Sequence, residues 1–475
     1  MAFCFDNSYA RLPERFFSKQ LPAQVLAARL LRKNEALAAE LGLPEDWQDF
    51  SGNTLPAGAE PLSQAYAGHQ FGGFVPQLGD GRAILLGEVL DAHGRRRDIQ
   101  LKGAGRTAFS RGGDGKSALG PVLREYLVSE AMHALGVPST RALAAVATGE
   151  VVVRETPVPG GVFTRVAASH IRVGTFQFFA ARQDTEALRT LAAHCIERHY
   201  PAAADAENPI LAFLEGVISA QATLMAKWLP LGFIHGVMNT DNCAISGETI
   251  DYGPCAFMDV FHPDCVFSFI DRKARYAWSA QPNIAHWNLT RLAETLLPLL
   301  APGEGEAKAL AQAALGGFPT IFQDAYQQNF LKKMGLERSV QAVDFLKTTL
   351  ELLAAEQVDF TLFFRHLTLH GAADGRADVA GLFGDPAAAL RWLGEWQGLP
   401  KAADFSETMR AANPILIPRN HRIEQAIQAA YAGDFSLFHR LADALVKPFQ
   451  EDPANVDLEA APLPHERVAN TFCGT

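Results

Sequence analysis

Apolar and polar positions in the first third of the chain predict one helical stretch followed by a hairpin. Residues 12–45 include AQVLAARLLRKNEALAAELG, where apolar residues recur three and four positions apart before a glycine. This spacing predicts an opening helical region. The short apolar runs AILLGEVL at 83–90 and RDIQLKGA at 97–104 are separated by DAHGRR. They predict two antiparallel strands joined by a turn.

A helix and further strands are expected next. LGPVLREYLVSEAMHALG has helical length and ends at Gly136 and Pro138, which are typical helix terminators. Strand-like segments follow around VVVRE at 151–155 and GVFTRVA at 161–167. The order strand, strand, helix, strand predicts an α+β unit.

The remainder of the chain has helical spacing. Alanine- and leucine-rich stretches such as LAFLEGVISAQATLMAKWL predominate beyond Gly174, and only 232–276 has the Asn, Asp, Gly and Pro content of loops that carry chemistry. We therefore expect an α+β fold with two lobes. Residues 1–174 would form N-terminal helices and a mixed α/β lobe, and 175–475 a largely helical lobe with the metal and catalytic loop.

Composition and charge narrow the class of protein. The 475 residues are 48% hydrophobic and 20% charged, as in an ordinary globular protein, and the formal net charge is −10. An acidic chain of this kind is not expected to bind nucleic acid. We also expect no membrane partner and a cytoplasmic location, because no apolar run approaches bilayer length and charges interrupt the start of the chain. Six scattered cysteines without a CxxC pair indicate neither a disulfide scaffold nor a cysteine zinc site.

Four pieces occur in the order that a kinase-like phosphate site requires. In LGDGRAILLGEV, Gly79 and Gly81 precede a strand, where backbone N–H groups can approach phosphate oxygens, and Arg82 adds positive charge. A simple hairpin turn is the alternative.

In the second piece, Lys102 ends an apolar strand, as does the kinase lysine that pairs ATP phosphates and is held by a helix glutamate. Glu125 is the candidate partner and Glu130 the second choice, although such charges are often merely solvated.

The third piece, FIHGVMNTDN, is the most informative. Small-molecule kinases have His-Gly-Asp here with an Asn five positions after the Asp, and Asn242 fits that metal-binding Asn. Val237 stands at the catalytic aspartate position and cannot accept a proton, so ordinary phosphoryl transfer should fail. Asp241 is the nearby carboxylate that could replace it. The fourth piece, IDYGPCAFMD, puts Asp251 where kinases have the Asp-Phe-Gly metal ligand, and Asn242 with Asp251 would hold Mg²⁺.

Two further basic regions can contribute. GRTAFSRGGDGKSALG has more glycine and basic residues than packing needs, and it is either a flexible surface loop or a loop that folds over triphosphate with Asp114 and Gly115 at its tip. Arg165 and Arg172 lie seven positions apart. An arginine can bind a phosphate through two hydrogen bonds, although ordinary salt bridges are the more common role of such residues.

The chain resembles the selenoprotein O family of protein adenylyltransferases, pseudokinases with a kinase-like fold, in its cysteine-containing bacterial form. The resemblance runs through FDNSYARLPERFF, YAGHQFGGFVPQLGDGRAILLGE, QLKGAGRTAFSRGGDGKSALG, GVFTRVAASHIRVGTFQ, HGVMNTDN, NPILIPRNHRIEQAI and the terminal TFCGT. It implies that AMP is transferred from ATP to Ser, Thr or Tyr hydroxyls of target proteins, with ATP flipped relative to a kinase.

The resemblance also implies roles for residues. Asp241 would accept the proton, and Asn242 and Asp251 would hold Mg²⁺ or Mn²⁺. The nucleotide would be held by Gly79, Gly81, Arg82, Lys102, Asp114, Gly115, Arg165, Arg172 and Asp251. Cys473 in TFCGT matches the family's terminal cysteine and is a candidate redox switch, with Cys265 as a candidate partner.

Three alternatives remain. Some members of this family are thought to transfer UMP with Mn²⁺, and the sequence does not choose the base. A small-molecule kinase is disfavoured by Val237. An inactive ATP-binding scaffold would catalyse no transfer at all.

Overall fold

The computed structural model describes residues 4–45, 47, 49–370 and 376–472. Its strands are β1 Phe17–Lys19, β2 Arg29–Lys33, β3 Leu62–Gln64, β4 Gly68–Gln70, β5 Gly73–Val75, β6 Ala83–Leu90, β7 Arg96–Lys102, β8 Ser117–Ala118, β9 Arg141–Val153, β10 Pro157–Ala167, β11 Phe233–Ile234 and β12 Ala256–Phe257. Its α-helices are α1 Glu35–Glu40, α2 Leu119–Ala134, α3 Val173–Ala180, α4 Thr185–His199, α5 Pro209–Trp228, α6 Gln281–Leu300, α7 Glu304–Gly316, α8 Phe318–Met334, α9 Val340–Ala355, α10 Phe360–His370, α11 Arg376–Ala380, α12 Pro386–Gly398, α13 Phe405–Ala412, α14 Asn420–Tyr431, α15 Ser436–Leu445 and α16 Val456–Glu459.

The main sheet is antiparallel, with the order β1-β3-β6-β7-β10-β9-β2, and β8 pairs with β10. Successive side chains along each strand point to opposite faces of the sheet. Leu85 and Phe163 point into the large core that includes α2, whereas Ile99 and Leu101 point to a second core that is closed by the N-terminal segment. The predicted α+β class, the hairpin β6–β7 and the helix α2 are confirmed.

The expected helical region over 12–45 is wrong. Most of it is extended, β2 pairs with the edge of β9 at Arg29↔Ala147 and Lys33↔Ala144, and only the short helix α1 forms. Hydrogen bonding to an open sheet edge outweighs the modest helix propensity of alanine and leucine. Leu26 is 90% exposed, so the three-to-four spacing here does not mark a buried helical face.

Helices dominate from Val173 onward, and 232–276 is mostly irregular, as predicted. One expectation needs correction: the segment 209–231, α5 and the turn after it, is long and apolar enough to cross a membrane, with a mean hydropathy of 1.4. Half of that stretch is buried inside the protein, and α5 packs against α6 and α8. Its apolar residues therefore serve the core of the helical part.

Candidate active site

One cleft of about 590 Å³ collects the loops that the sequence singled out. Two other cavities, of about 420 and 600 Å³, are lined by none of the predicted residues. Chemistry rather than size therefore distinguishes the cleft. The predicted residues that line it are Gly79, Gly81, Arg82, Asp114, Gly115, Asp241, Asn242 and Asp251. Lys102, Arg165 and Arg172 are not among its lining residues and lie behind it.

The turn before β6 needs its glycines. A Cβ on Gly79, whose φ is +72°, would come within 2.2 Å of the Phe109 ring, and a Cβ on Gly81 would lie 2.9 Å from the Phe109 carbonyl oxygen. The loop that contains Phe109 thus packs directly on the turn. Arg82 adds a guanidinium whose buried Nη1 has no hydrogen-bond partner in the described part of the chain.

Sheet register brings Lys102 to the cleft. Gln100 and Lys102 are two positions apart on β7, and Arg165 on β10 lies directly opposite Gln100, so all three side chains share one face. The helix α2 crosses this face and supplies Glu125, whose carboxylate lies 2.6 Å from Lys102 Nζ and 3.2 Å from Arg165 Nη1. Lys102 also contacts Asp251. The second-choice partner, Glu130, instead binds Arg141 at the start of β9.

Arg172 supports the loop that carries Asp241. Its Nη1 donates to the Asp241 carbonyl oxygen at 3.0 Å, and its guanidinium lies 4.3 Å from the Tyr66 ring centroid. Asp80 is 3.7 Å from Nη2, which is too long for a hydrogen bond. Within the described residues Nη2 thus remains a buried donor without an acceptor.

The loop around Asp114 is fastened to the sheet. Asp114 forms an ion pair with Arg154 at 2.9 Å, and Lys116 forms one with Glu150 at 2.8 Å. Gly115 has a φ of +68°, and a Cβ there would overlap the Gly105 carbonyl at 2.0 Å. Backbone approach therefore requires glycine at this position, and the loop forms one wall of the cleft.

Asp241 has an unusual environment for a carboxylate. A Cβ on Gly68 would lie 2.4 Å from Asp241 Oδ1, so only glycine allows the carboxylate to pack there. Oδ1 has no hydrogen-bond partner among the described residues, and Oδ2 accepts one bond from Gln70 at 3.3 Å. Burial raises the pKa of Asp241 to about 6. Val237, at the kinase base position, is buried and brings no carboxylate.

The sequence analysis missed the hairpin β4–β5, which holds this loop. Three consecutive residues of the hairpin bind three consecutive residues of the loop: His69 N donates to Thr240 Oγ1, Gln70 Nε2 to Asp241 and Phe71 N to Asn239 Oδ1. The local signal was the run HQFGG, in which two glycines follow a short strand-like segment.

The metal ligands proposed from the sequence are compatible with Mg²⁺. Asn242 Nδ2 donates to the Val237 carbonyl oxygen at 3.0 Å, which leaves its Oδ1 available as a ligand. Asp251 has a φ of +70°, a strained conformation that concentrates at functional sites. Burial by itself would raise the pKa of Asp251, but Lys102, Arg165 and Arg82 hold it well below its usual range. The described residues contain no cluster of three His, Cys, Asp or Glu that could hold a metal, and Mg²⁺ needs none when phosphates and water complete its shell.

The redox hypothesis receives no support from the geometry. Cys473 lies outside the described residues. Cys265 is partly buried and free, and burial raises its pKa to about 11, which keeps the thiol protonated and weakly nucleophilic at neutral pH.

Comparisons with known proteins agree with the chemistry of the cleft. Residues 1–446 match the family described as protein adenylyltransferase SelO. The chain is 56% identical to the protein nucleotidyltransferase YdiU of Agrobacterium fabrum, over 99% of both chains. It is 57% identical to the YdiU protein of Rhodopseudomonas palustris, over 100% of this chain and 99% of that protein. The YdiU protein of Nitrobacter hamburgensis is 55% identical, over 99% of this chain and 96% of its own length.

Proposed function

This chain belongs to the SelO family of protein adenylyltransferases, and from that premise we propose how its cleft transfers AMP to protein hydroxyls. ATP lies flipped relative to a kinase, with the γ-phosphate deep in the cleft and the α-phosphate toward the acceptor. The observation that carries this proposal is the combination of a valine at position 237 with a carboxylate at Asp241. The kinase base position has no carboxylate, while a buried carboxylate four positions later faces the same cleft.

The nucleotide cradle in this proposal has two parts. The glycine turn and the Asp114–Gly115 loop offer backbone N–H groups. Arg82 and Arg172 offer buried guanidinium atoms that have no hydrogen-bond partner among the described residues. Such unsatisfied donors are costly unless an anion meets them. Lys102 and Arg165, held by Glu125, add positive charge behind the phosphates.

Asn242 and Asp251 would hold Mg²⁺, or Mn²⁺, against the phosphate oxygens. The bound ion would neutralise negative charge on the triphosphate. Two oxygen ligands from the protein fit the habit of Mg²⁺, and the strained backbone of Asp251 is consistent with a ligand position.

The reaction then balances as a simple displacement. The acceptor oxygen bonds to the α-phosphorus, the bond from that phosphorus to the bridging oxygen of the β-phosphate breaks, and pyrophosphate leaves. Asp241 takes the acceptor proton. Arg82, Lys102 and the arginines behind them stabilise the leaving pyrophosphate, and orientation of ATP and acceptor supplies much of the rate.

The finer predictions remain part of this proposal. They are a two-lobed kinase-like arrangement divided near residue 174, acceptors that carry Ser, Thr or Tyr, and a cytoplasmic setting with neither nucleic acid nor membrane as partner. The antiparallel sheet confined to 17–167 and the helices after it support the two-lobed arrangement.

Labelled nucleotides test the proposal. The protein is incubated with a mixed protein substrate, Mg²⁺ or Mn²⁺, and ATP labelled at the α- or the γ-phosphate. We expect incorporation of the α-label, abolished in Asp251→Ala and strongly reduced in Asp241→Ala and Lys102→Ala. Incorporation of the γ-label alone contradicts AMP transfer. Labelled UTP in a parallel reaction measures the competing uridylyl transfer.

A further inference from the structure

Two segments form the mouth of the cleft on the side of Asp241. One is the hairpin 68–75, and the other is the segment 268–276, whose Ile270 lines the cleft. Both are anchored on the same atom, because Asn239 Oδ1 accepts from Phe71 N at 3.0 Å and from the Tyr276 hydroxyl at 2.7 Å. The mouth and the Asp241 loop therefore form one connected unit.

The segments also contact each other directly. The rings of Phe71 and Tyr276 have centroids 5.3 Å apart. A Cβ on Gly72, at the hairpin tip, would lie 3.7 Å from the Arg275 guanidinium carbon. Arg275 in turn stacks on Trp287 at 4.8 Å. Such packing fixes the mouth in position before any acceptor arrives.

The surface of the mouth combines exposed apolar groups with unpaired positive charge. Phe74 is 43% exposed, Phe269 49% and Ile270 60%. The Phe269 ring lies 5.2 Å from the ring of Phe472, which is itself 56% exposed, and adjoining exposed apolar side chains are typical of interaction sites. Arg272 and Lys273 are exposed beside them. Neither forms an ion pair anywhere in the part of the chain that the structure describes, although the whole chain carries a net charge of −10.

We propose that this mouth, Phe74 with residues 269–273, is the docking surface for the acceptor protein. The preferred acceptor is an extended segment in which an apolar side chain and glutamate or aspartate residues flank the modified hydroxyl. This inference rests on the proposed function, since it assumes that the hydroxyl reaches Asp241. Apolar contact would hold the segment, and Arg272 and Lys273 would select its acidic side chains.

Nucleotide phosphates do not account for these charges. Arg272 and Lys273 are exposed and do not line the cleft, whereas Arg82 lines it and Lys102, Arg165 and Arg172 are buried behind it. The cleft thus has its own cations for the triphosphate. The charges at the mouth face whatever approaches from solution.

Peptide binding tests the docking surface independently of catalysis. Two fluorescent peptides share one tyrosine and an adjacent phenylalanine and differ only in flanking glutamates or flanking lysines. Fluorescence anisotropy measures their Kd for wild type, for Arg272→Glu/Lys273→Glu, and for Arg189→Glu. Arg189→Glu is the control for reversal of a charge outside the mouth, because Arg189 is exposed on α4 and forms no ion pair among the described residues. A third peptide with serine in place of phenylalanine measures the apolar contribution against Ile270→Ser.

We expect wild type and Arg189→Glu to bind the glutamate peptide about tenfold more tightly than the lysine peptide. The double reversal should invert this preference, and Ile270→Ser should remove the advantage of the phenylalanine peptide. An unchanged preference in the double reversal overturns the docking surface. If the preference inverts as expected but no α-label reaches any acceptor, the docking surface stands and the proposed function fails.

Discussion

Two lysines are buried in two regions of the molecule, and only one of them has carboxylate partners. Lys102 lies behind the cleft, against Glu125 and Asp251. Lys333 lies among helices at another cavity, where its Nζ is 3.5 Å from the Ala412 carbonyl oxygen and 4.4 Å from the Phe364 ring centroid. It has no ion pair within the described chain, and burial lowers its pKa to about 7.

The contrast shows that burial of a charge does not by itself identify a functional site. Lys102 forms ion pairs with carboxylates beside the cleft, where an amine can meet phosphate. Lys333 instead has a pKa near neutral pH and lies beside apolar rings, as expected for a lysine whose role is packing. If this interpretation is right, changes at the first lysine and its partners should affect activity, and changes at the second should affect only stability.

The largest expected effect is at Asp251. Asp251→Asn should lower kcat for AMP transfer by roughly a thousandfold or more, because it removes the proposed metal ligand and the anionic partner of Lys102. Steady-state kinetics with saturating ATP measures the loss, and thermal unfolding serves as the control for folding. Activity within tenfold of wild type would exclude Asp251 as an essential ligand.

Lys102→Met should come next. It removes a positive charge behind the phosphates and leaves Glu125 and Asp251 facing each other, so kcat/KM for ATP should fall by about a hundredfold or more. Lys333→Met is the matched control, since it replaces a buried lysine outside the cleft. Equal loss of activity in both variants would contradict the conclusion that Lys102, unlike Lys333, belongs to the functional site.

Lys333→Met should instead increase stability near pH 6, by up to about 5 kcal/mol. The folded pKa of Lys333, about 7, is below the unfolded value of 10.5. The unfolded chain therefore binds the extra proton between these values, and wild-type stability should rise as pH rises from 7 toward 10.5. The gain from the substitution should shrink over the same range. Chemical denaturation at several pH values measures it, and a gain independent of pH would indicate that the lysine is not buried neutral.

The smallest expected effect is at Gln70, on the hairpin β4–β5 that the sequence analysis did not predict. Gln70→Ala removes one long hydrogen bond to Asp241, so kcat should fall by roughly threefold to fivefold while KM for ATP stays near that of wild type. Kinetics at varied ATP separates the two constants. A rise in KM for ATP with unchanged kcat would place Gln70 with the nucleotide instead of with Asp241.

The sequence predicted those parts of the fold whose local pattern and tertiary environment agree. The hairpin β6–β7 and α2 are clear in periodicity, and together they bring Lys102 and Glu125 into contact. The prediction of a helical region over residues 12–45 was wrong. The segment has helical composition, but its strand β2 pairs with β9 instead. No periodicity over three residues could find β4, and its role depends on hydrogen bonds to a loop 171 positions away.

The sequence predicts candidate metal-binding residues, but it does not predict the residues that support them. Asn242 and Asp251 occur in recognisable local runs, whereas Gly68 matters only because the Asp241 carboxylate packs on it. Arg172 likewise acts through a contact with the Asp241 backbone. Such long-range contacts leave no spacing signal in one chain.

The identity of the phosphate product tests the central claim most directly. Phosphorus NMR can follow a single-turnover reaction of the protein with ATP, metal and an acceptor protein. The proposed orientation of ATP predicts one pyrophosphate released for each acceptor hydroxyl modified, with AMP attached to the acceptor. Release of ADP in the same proportion, with phosphate on the acceptor, would contradict it.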